Sequence, residues 1–279
     1  MMEFVVYVCG IVKKNMIGCI IQARMKSQRL PGKVMMDVEE NNPLLNSVVS
    51  QIEYSNLVEK YVVATSNSKE DDVIFEFLKN KNIDCFRGDE FDVLDRYYQC
   101  AKKFSFSTIV RIPSDKPLID PFLMDMIIDF FNSNSFDYVT TFLPPTFPSG
   151  TEVEVFSFSA LENAWKNARL PSEREHVTPY FYNNKNKFKI FNYESKTNLS
   201  KFRYAVDRIE DLKLVKILIS RIKKRPILLE DILEQFEIAP SLININKDVN
   251  YYEGFEKSKK EDIDFLNSKK KIKENESKN

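Results

Sequence analysis

Short β-rich runs alternate with amphipathic helical stretches through the first half of the chain, and few folds accommodate that rhythm. Strand-like segments are read at Ile17–Gln22, Tyr61–Thr65, Asp84–Phe86, Thr108–Ile112, Asp137–Thr141 and Glu152–Phe156. Helical stretches fall between them, near Leu44–Tyr54, Glu70–Asn80, Asp92–Lys103 and Pro121–Asn132. Within these, Ile74, Phe77 and Leu78 share one helix face, as do Leu123, Ile127 and Phe130. Strands separated by helices pair mostly in parallel, through right-handed crossovers. The expected fold class is therefore α/β, a three-layer α/β/α domain on a mostly parallel sheet. Ligands of such sheets sit beyond the carboxyl ends of the strands. That points to the loops after Gln22, Thr65, Phe86 and Ile112.

Residues 142–205 break the rhythm, because Leu143-Pro144-Pro145-Thr146-Phe147-Pro148 continues neither a strand nor a helix. Helices are expected there at Ala160–Ala168 and Arg174–Asn183, in an excursion that supplies specificity or a subunit interface. A last amphipathic helix, Glu210–Ile222, closes a domain read as residues 16–239. Residues 240–279 form a C-terminal segment whose Lys/Glu/Asn-rich end, Ser268–Asn279, is expected to fray. Residues 1–15 read as an extension ahead of Met16. Their apolar run, Phe4–Val12, is far shorter than the roughly 20 residues of a membrane span. Glu3 before it and Lys13-Lys14 after it are the wrong flanks for a signal peptide.

Composition narrows the function. Of 279 residues, 43% are hydrophobic, enough for a sizeable core. The 41 basic and 41 acidic side chains cancel, which argues against a general nucleic-acid binder. A single histidine, His176, excludes His-cluster metal sites. Cys9, Cys19, Cys85 and Cys100 form no C-x-x-C pair and are expected to be reduced core residues of a cytoplasmic protein.

The most informative stretch follows the first strand. Gln22-Ala23-Arg24-Met25-Lys26-Ser27-Gln28-Arg29-Leu30-Pro31-Gly32-Lys33 carries four cations, Arg24, Lys26, Arg29 and Lys33. Such a loop suits a polyphosphate, because arginine grips phosphate oxygens bidentately and lysine acts as a point charge. It matches neither the Walker A loop nor the G-x-G-x-x-G fingerprint.

This loop resembles the nucleotide-binding signature of the cytidylyltransferases that make CMP-activated sugar acids, the acylneuraminate and 3-deoxy-manno-octulosonate group, above all their spore-coat polysaccharide branch. Further segments resemble the same branch: Val63-Ala64-Thr65-Ser66, Cys85-Phe86-Arg87-Gly88, Asp92-Val93-Leu94-Asp95-Arg96, Arg111-Ile112-Pro113-Ser114-Asp115, and Ser172-Glu173-Arg174-Glu175-His176. The resemblance runs from Ile17 to about Ile219 and implies a Rossmann-like nucleotidyltransferase fold.

It implies that CTP and an acceptor, a sugar acid or a sugar or polyol phosphate, are joined with release of pyrophosphate. Arg24, Ser27, Arg29 and Lys33 would hold the triphosphate, with Ala23 meeting the base through its backbone. Thr65, Ser66, Arg87, Asp95 and Arg96 would line the cytidine side. Arg24, Lys33 and Asp115 are the expected catalytic set. Asp115 and Asp207 resemble the family's metal ligands, implying Mg²⁺ as cofactor. On their own residues both have competing readings, Asp115 as a turn residue and Asp207 as a helix cap. For the acceptor, Glu152 and Glu154 share one strand face and either bind sugar hydroxyls or meet water. His176, Arg174 and Arg203 complete the acceptor set. The family also implies a homodimer, with neither nucleic acid nor membrane as partner.

The chain departs from the family pattern twice. Lys26-Ser27-Gln28 stands where Gly-Ser-Thr is usual, which removes one hydroxyl available to phosphate. Pro113-Ser114 stands where Thr-Gly usually precedes the metal aspartate. Two other readings share such a fold, a nucleotide-sugar-dependent glycosyltransferase and a non-catalytic nucleotide-binding subunit. The basic loop suits a triphosphate better than a diphosphate sugar.

Overall fold

A computed structural model describes residues 15–250 and 253–276. Its strands are β1 (Ile17–Gln22), β2 (Asp37–Glu39), β3 (Asn42–Pro43), β4 (Lys60–Ser66), β5 (Cys85–Gly88), β6 (Thr108–Pro113), β7 (Tyr138–Thr140), β8 (Glu154–Ser157) and β9 (Ile190–Asn192). Its helices are α1 (Leu44–Ile52), α2 (Asp72–Asn80), α3 (Val93–Lys103), α4 (Pro121–Asn132), α5 (Phe158–Asn167), α6 (Pro171–His176), α7 (Pro179–Asn183), α8 (Ile209–Arg221), α9 (Leu229–Ile238) and α10 (Glu253–Glu276).

Seven strands form one sheet in the order β5-β4-β1-β6-β8-β7-β9. β5, β4, β1 and β6 run parallel, as the intervening helices require, while β8 pairs antiparallel with both β6 and β7. Alternate strand residues enter two separate cores. Cys19, Ile21, Val63, Val110, Ile112 and Val155 face α1, α2, α4, α8 and α9. Ile20, Val62, Ala64, Ile109 and Phe156 face α3, α5 and α7. That period-2 division is what makes three layers.

Helix starts follow local chemistry. Asp92 accepts from the Asp95 amide at 2.9 Å, and Asp120 accepts from Phe122 and Leu123 just before Pro121.

The strand read at Glu152–Phe156 is β8, and residues 142–205 also supply β9 to the sheet. Other expectations need correction. The helix expected at Arg174–Asn183 is two, α6 and α7, separated by Val177 with φ 72°. The chain does not end its helices at residue 222, since α9 and α10 follow, and the tail expected to fray is helical as far as Glu276. The extension at residues 1–15 lies, apart from Asn15, outside the described residues. Among the described residues no helix is long and apolar enough to cross a membrane.

Candidate active site

The loop after β1 is held at three places. The Ala23 amide donates to Ala64 O at 3.1 Å, and the Gln22 carbonyl accepts from the Ser114 amide at 3.0 Å. The Met25 amide donates to Asp71 Oδ1 at 2.7 Å. Asp71, 2% exposed, also accepts from Thr65 Oγ1 (3.0 Å), the Ser66 amide (3.1 Å) and Ser66 Oγ (2.5 Å). The loop closes through the Gly32 amide on Met25 O at 2.8 Å, with Gly32 at φ 73°, where a side chain is strained. Gly32 then caps the short 3₁₀ turn Lys33–Met35, which turns Lys33 inward.

Lys33 is 8% exposed and joins both acidic residues. Its Nζ donates to Val206 O at 2.6 Å and to Asp207 Oδ1 at 2.9 Å, and lies 3.5 Å from Asp115 Oδ2. The backbone brings the two carboxylates together, because the Val206 amide donates to Asp115 O at 2.8 Å. Arg29 reaches Asp207 Oδ1 at 2.6 Å, and Arg203 reaches Asp207 Oδ2 at 2.7 Å. Burial alone would raise the Asp207 carboxyl, but Lys33, Arg29 and Arg203 hold it down at about 2. Asp207 does not cap α8; Asp211 does, accepting from the Asp207 and Arg208 amides at 2.9 Å.

A cleft of about 280 Å³ opens over these groups, between the ends of β1 and β6 and helices α3, α6 and α10. Ala23, Arg24, Ser27, Arg29, Lys33, Arg96, Asp115, His176 and Asp207 line it, together with Gln22, Arg111 and Glu175. Arg24 pairs with Glu175 at 2.9 Å. Burial pushes the Glu175 carboxyl up, and Arg24 and His176 outweigh it, leaving the group below its ordinary range. Burial lowers His176 below the usual imidazole value against the opposing pull of Glu175, and its Nε2 lies 2.5 Å from Ser258 Oγ.

The other expected site residues lie elsewhere. Thr65 and Ser66 spend their hydroxyls on Asp71, so they shape the loop and do not line the cleft. Arg87 is tied to Asp72 and to the carbonyls of Ser66 and Ser68. Asp95 faces away, accepting from Trp165 Nε1 at 2.8 Å and from Gln99. Arg96 does border the cleft, but its guanidinium is bound to Asp89 O and Glu90 O. Of the acceptor set only His176 lines the cleft. Glu152 is buried against Lys116, and Glu154 against Arg111 and Tyr138, so neither meets sugar or water. Arg174 pairs with Asp92, and Arg203 with Asp207 and Asp211. Buried charges need internal partners, and these glutamates and arginines have found them.

Sequence reasoning assigned no role to Gln22, Arg111 or Glu175, although each fell inside a quoted motif. Gln22 Oε1 and Arg111 Nε are the buried side-chain polar atoms without a hydrogen-bond partner among the described residues, and both residues line this cleft. A buried unpaired polar atom costs about 1–3 kcal/mol, so these two residues carry a cost at the cleft that the fold itself does not offset. Asp115 and Asp207 are the carboxylates that would hold a divalent cation. Lys33 Nζ is itself a cation held by two converging carboxylates. Among the described residues no cluster of three or more His, Cys, Asp or Glu gathers. Two carboxylates with remaining positions left to phosphate and water are a hard-cation set, suited to Mg²⁺.

A mostly parallel α/β sheet whose first loop sets arginine and lysine opposite a carboxylate pair, at its carboxyl edge, defines a nucleotidyltransferase. Comparison with known proteins agrees. The chain belongs to the cytidylyltransferase family, whose model matches residues 18–272. A solved cytidylyltransferase structure from Leptospira borgpetersenii is 34% identical, with a TM-score of 0.79 over 85% of this chain and 99% of that one. The spore coat polysaccharide biosynthesis protein SpsF of Bacillus subtilis is 30% identical over 76% of this chain and 90% of its own. A 3-deoxy-manno-octulosonate cytidylyltransferase of Trichlorobacter lovleyi is 31% identical over 42% of this chain and 46% of its own.

Proposed function

We propose that this enzyme transfers CMP from CTP to an acidic sugar acceptor, a sugar acid or a sugar or polyol phosphate, with Mg²⁺ and with release of pyrophosphate, in surface polysaccharide or glycan synthesis. The observation that carries the reading is the convergence of Arg29 and Lys33 on Asp207, with Asp115 at the same ammonium. Arg24, Arg29 and Lys33 bind and orient the triphosphate, and Ser27 adds a hydroxyl. Charge that builds on the α-phosphoryl oxygens and on the departing pyrophosphate then develops against fixed cations, which is mostly positioning and electrostatic stabilisation. Asp115 and Asp207 would hold the metal ion, which would supply neutralisation of phosphate charge and Lewis acidity. Ala23 meets the base through its backbone. Arg111, Gln22 and His176 also line the cleft and are assigned to the acceptor.

The acceptor class rests on the names of two relatives, the spore coat polysaccharide protein and the 3-deoxy-manno-octulosonate enzyme. The same reading places the protein in the cytoplasm, where CTP is made available, and pairs it as a homodimer. An exposed apolar group beside edge strand β9, formed by Phe122, Met126 and Phe191, supports pairing, and sedimentation as a monomer at micromolar concentration would refute it. The test of function is pyrophosphate release from CTP across a panel of sugar acids and sugar or polyol phosphates, with and without Mg²⁺. Release is expected only with CTP, acceptor and metal together. Equal release from ATP or GTP would overturn the cytidine assignment, and turnover of a nucleotide-sugar donor without pyrophosphate would favour a glycosyltransferase.

A further inference from the structure

The α10 helix carries none of the site motifs quoted above, although the family match extends into it, and its side chains form one wall of the cleft. It is fastened there at separate points. Asp262 accepts from the Ser172 amide at 2.9 Å and from Ser172 Oγ at 2.6 Å. Glu253 takes both its oxygens to Arg208 Nη2, at 2.8 and 2.9 Å, next to Asp207. Ser258 meets His176, and Lys257 Nζ donates to Gln28 Oε1 at 2.5 Å.

The Lys257 bond falls on Gln28, a residue of the cationic loop that has no hydroxyl to offer phosphate. Lys26 of the same loop does not supply a cation to the cleft, because its ammonium turns out of it toward Glu70 and Glu90. Three loop cations therefore face the cleft, Arg24, Arg29 and Lys33, each paired with a carboxylate. Lys257 brings a fourth to the same loop, and it meets the loop through a neutral amide. Its carboxylate partner among the described residues is on its own helix, Glu261 at 3.4 Å. Moving from Gln28 to a phosphate oxygen costs this ammonium a bond to a neutral amide and no ion pair with the loop.

We propose that Lys257 is a triphosphate-binding residue supplied by the C-terminal helix, its ammonium serving where Gln28 offers no hydroxyl. The inference rests on the nucleotide reading of the cleft but not on the base or the acceptor. Isothermal titration of the full-length protein in Mg²⁺ buffer, with CTP and with CMP as probes, tests it. Lys257→Ala is expected to raise the CTP Kd about tenfold, the worth of one charge-assisted hydrogen bond, and to leave the CMP Kd unchanged. Lys257→Arg, which keeps the charge, is expected to restore CTP binding. The side chain is 47% exposed, so the variants should melt as wild type does. An unchanged CTP Kd overturns the proposal, and so does equal weakening of CTP and CMP, which would make α10 only a wall. Wild-type protein that binds ATP as tightly as CTP would overturn the cytidine reading alone, since the Lys257 comparison can then be made with ATP and AMP.

Discussion

Lys33 Nζ stands 2.9 Å from Asp207 Oδ1 and 3.5 Å from Asp115 Oδ2, so one ammonium spans both carboxylates of the site. The two partners are not equivalent. Asp207 is 7% exposed and also holds Arg29 and Arg203, whereas Asp115, with a side chain 25% exposed, meets only Lys33 among these cations.

That asymmetry separates two mutations. Asp115→Asn should keep the fold and lower pyrophosphate release by at least about a hundredfold, the scale for losing one preorganised electrostatic group. Asp207→Asn should lose activity and also unfold more easily, by about 3 kcal/mol, because Arg29 loses its carboxylate and Lys33 and Arg203 each lose one of two. Urea unfolding beside activity decides it. Equal stability of the two variants would contradict the inequivalence.

Lys33→Ala removes the spanning charge, but Arg29 and Arg203 still neutralise Asp207. The expected result is a fall in kcat/KM of about a hundredfold or more with a melting temperature close to wild type. A variant that loses activity only in proportion to folded protein would make Lys33 a structural residue.

Gln22 Oε1 is buried in the cleft without a partner among the described residues. Gln22→Met discards an unpaired polar atom worth about 1 kcal/mol of instability, so melting should be unchanged or raised while turnover falls about tenfold or more. Lower melting with full activity would show that the amide serves the fold.

Acid should loosen the protein in two windows. His176 is held below 6.5, so folding favours its neutral form, and this contribution is complete above pH 6.5 and declines as pH falls through the folded value. The charges around it are Glu175, Arg111, Arg24 and Glu261. Asp207 is held at about 2 against an ordinary 3.8, so its contribution of about 2 kcal/mol is complete above 3.8 and is lost toward pH 2. Urea midpoints measured from pH 7 to 2 check this. His176→Gln should flatten the upper window and leave the lower one intact.

Much of the fold was legible because burial leaves a period. Cys19, Ile20 and Ile21 alternate between two cores, and Ile74 and Leu78 mark one helix face, so β1 and α2 could be placed within a residue or two. The α10 helix was not legible, since a Lys- and Glu-rich segment carries no apolar stripe and its hold on the cleft is polar. In the site, the loop cations were readable from their density. Glu152, Glu154, Arg174 and Arg203 lie outside the cleft in internal ion pairs, which the sequence does not reveal, because a charged residue has the same letter whether it faces a ligand or a buried counter-ion. Asp71 had no signal, since a carboxylate just before a helix reads as a cap, and only the tertiary structure brings Met25 to it.

The shared carboxylate of Asp71 joins the turn after β4 to the loop after β1 in one hydrogen-bonded knot. A loop rich in long cationic side chains would ordinarily sample many backbone shapes, and each would have to be surrendered when a nucleotide arrives. Here that entropy is given up at folding, so it is not subtracted again from affinity. The knot acts as a stiffener for the binding step, and the cations it carries meet a triphosphate as parts of a frame already set.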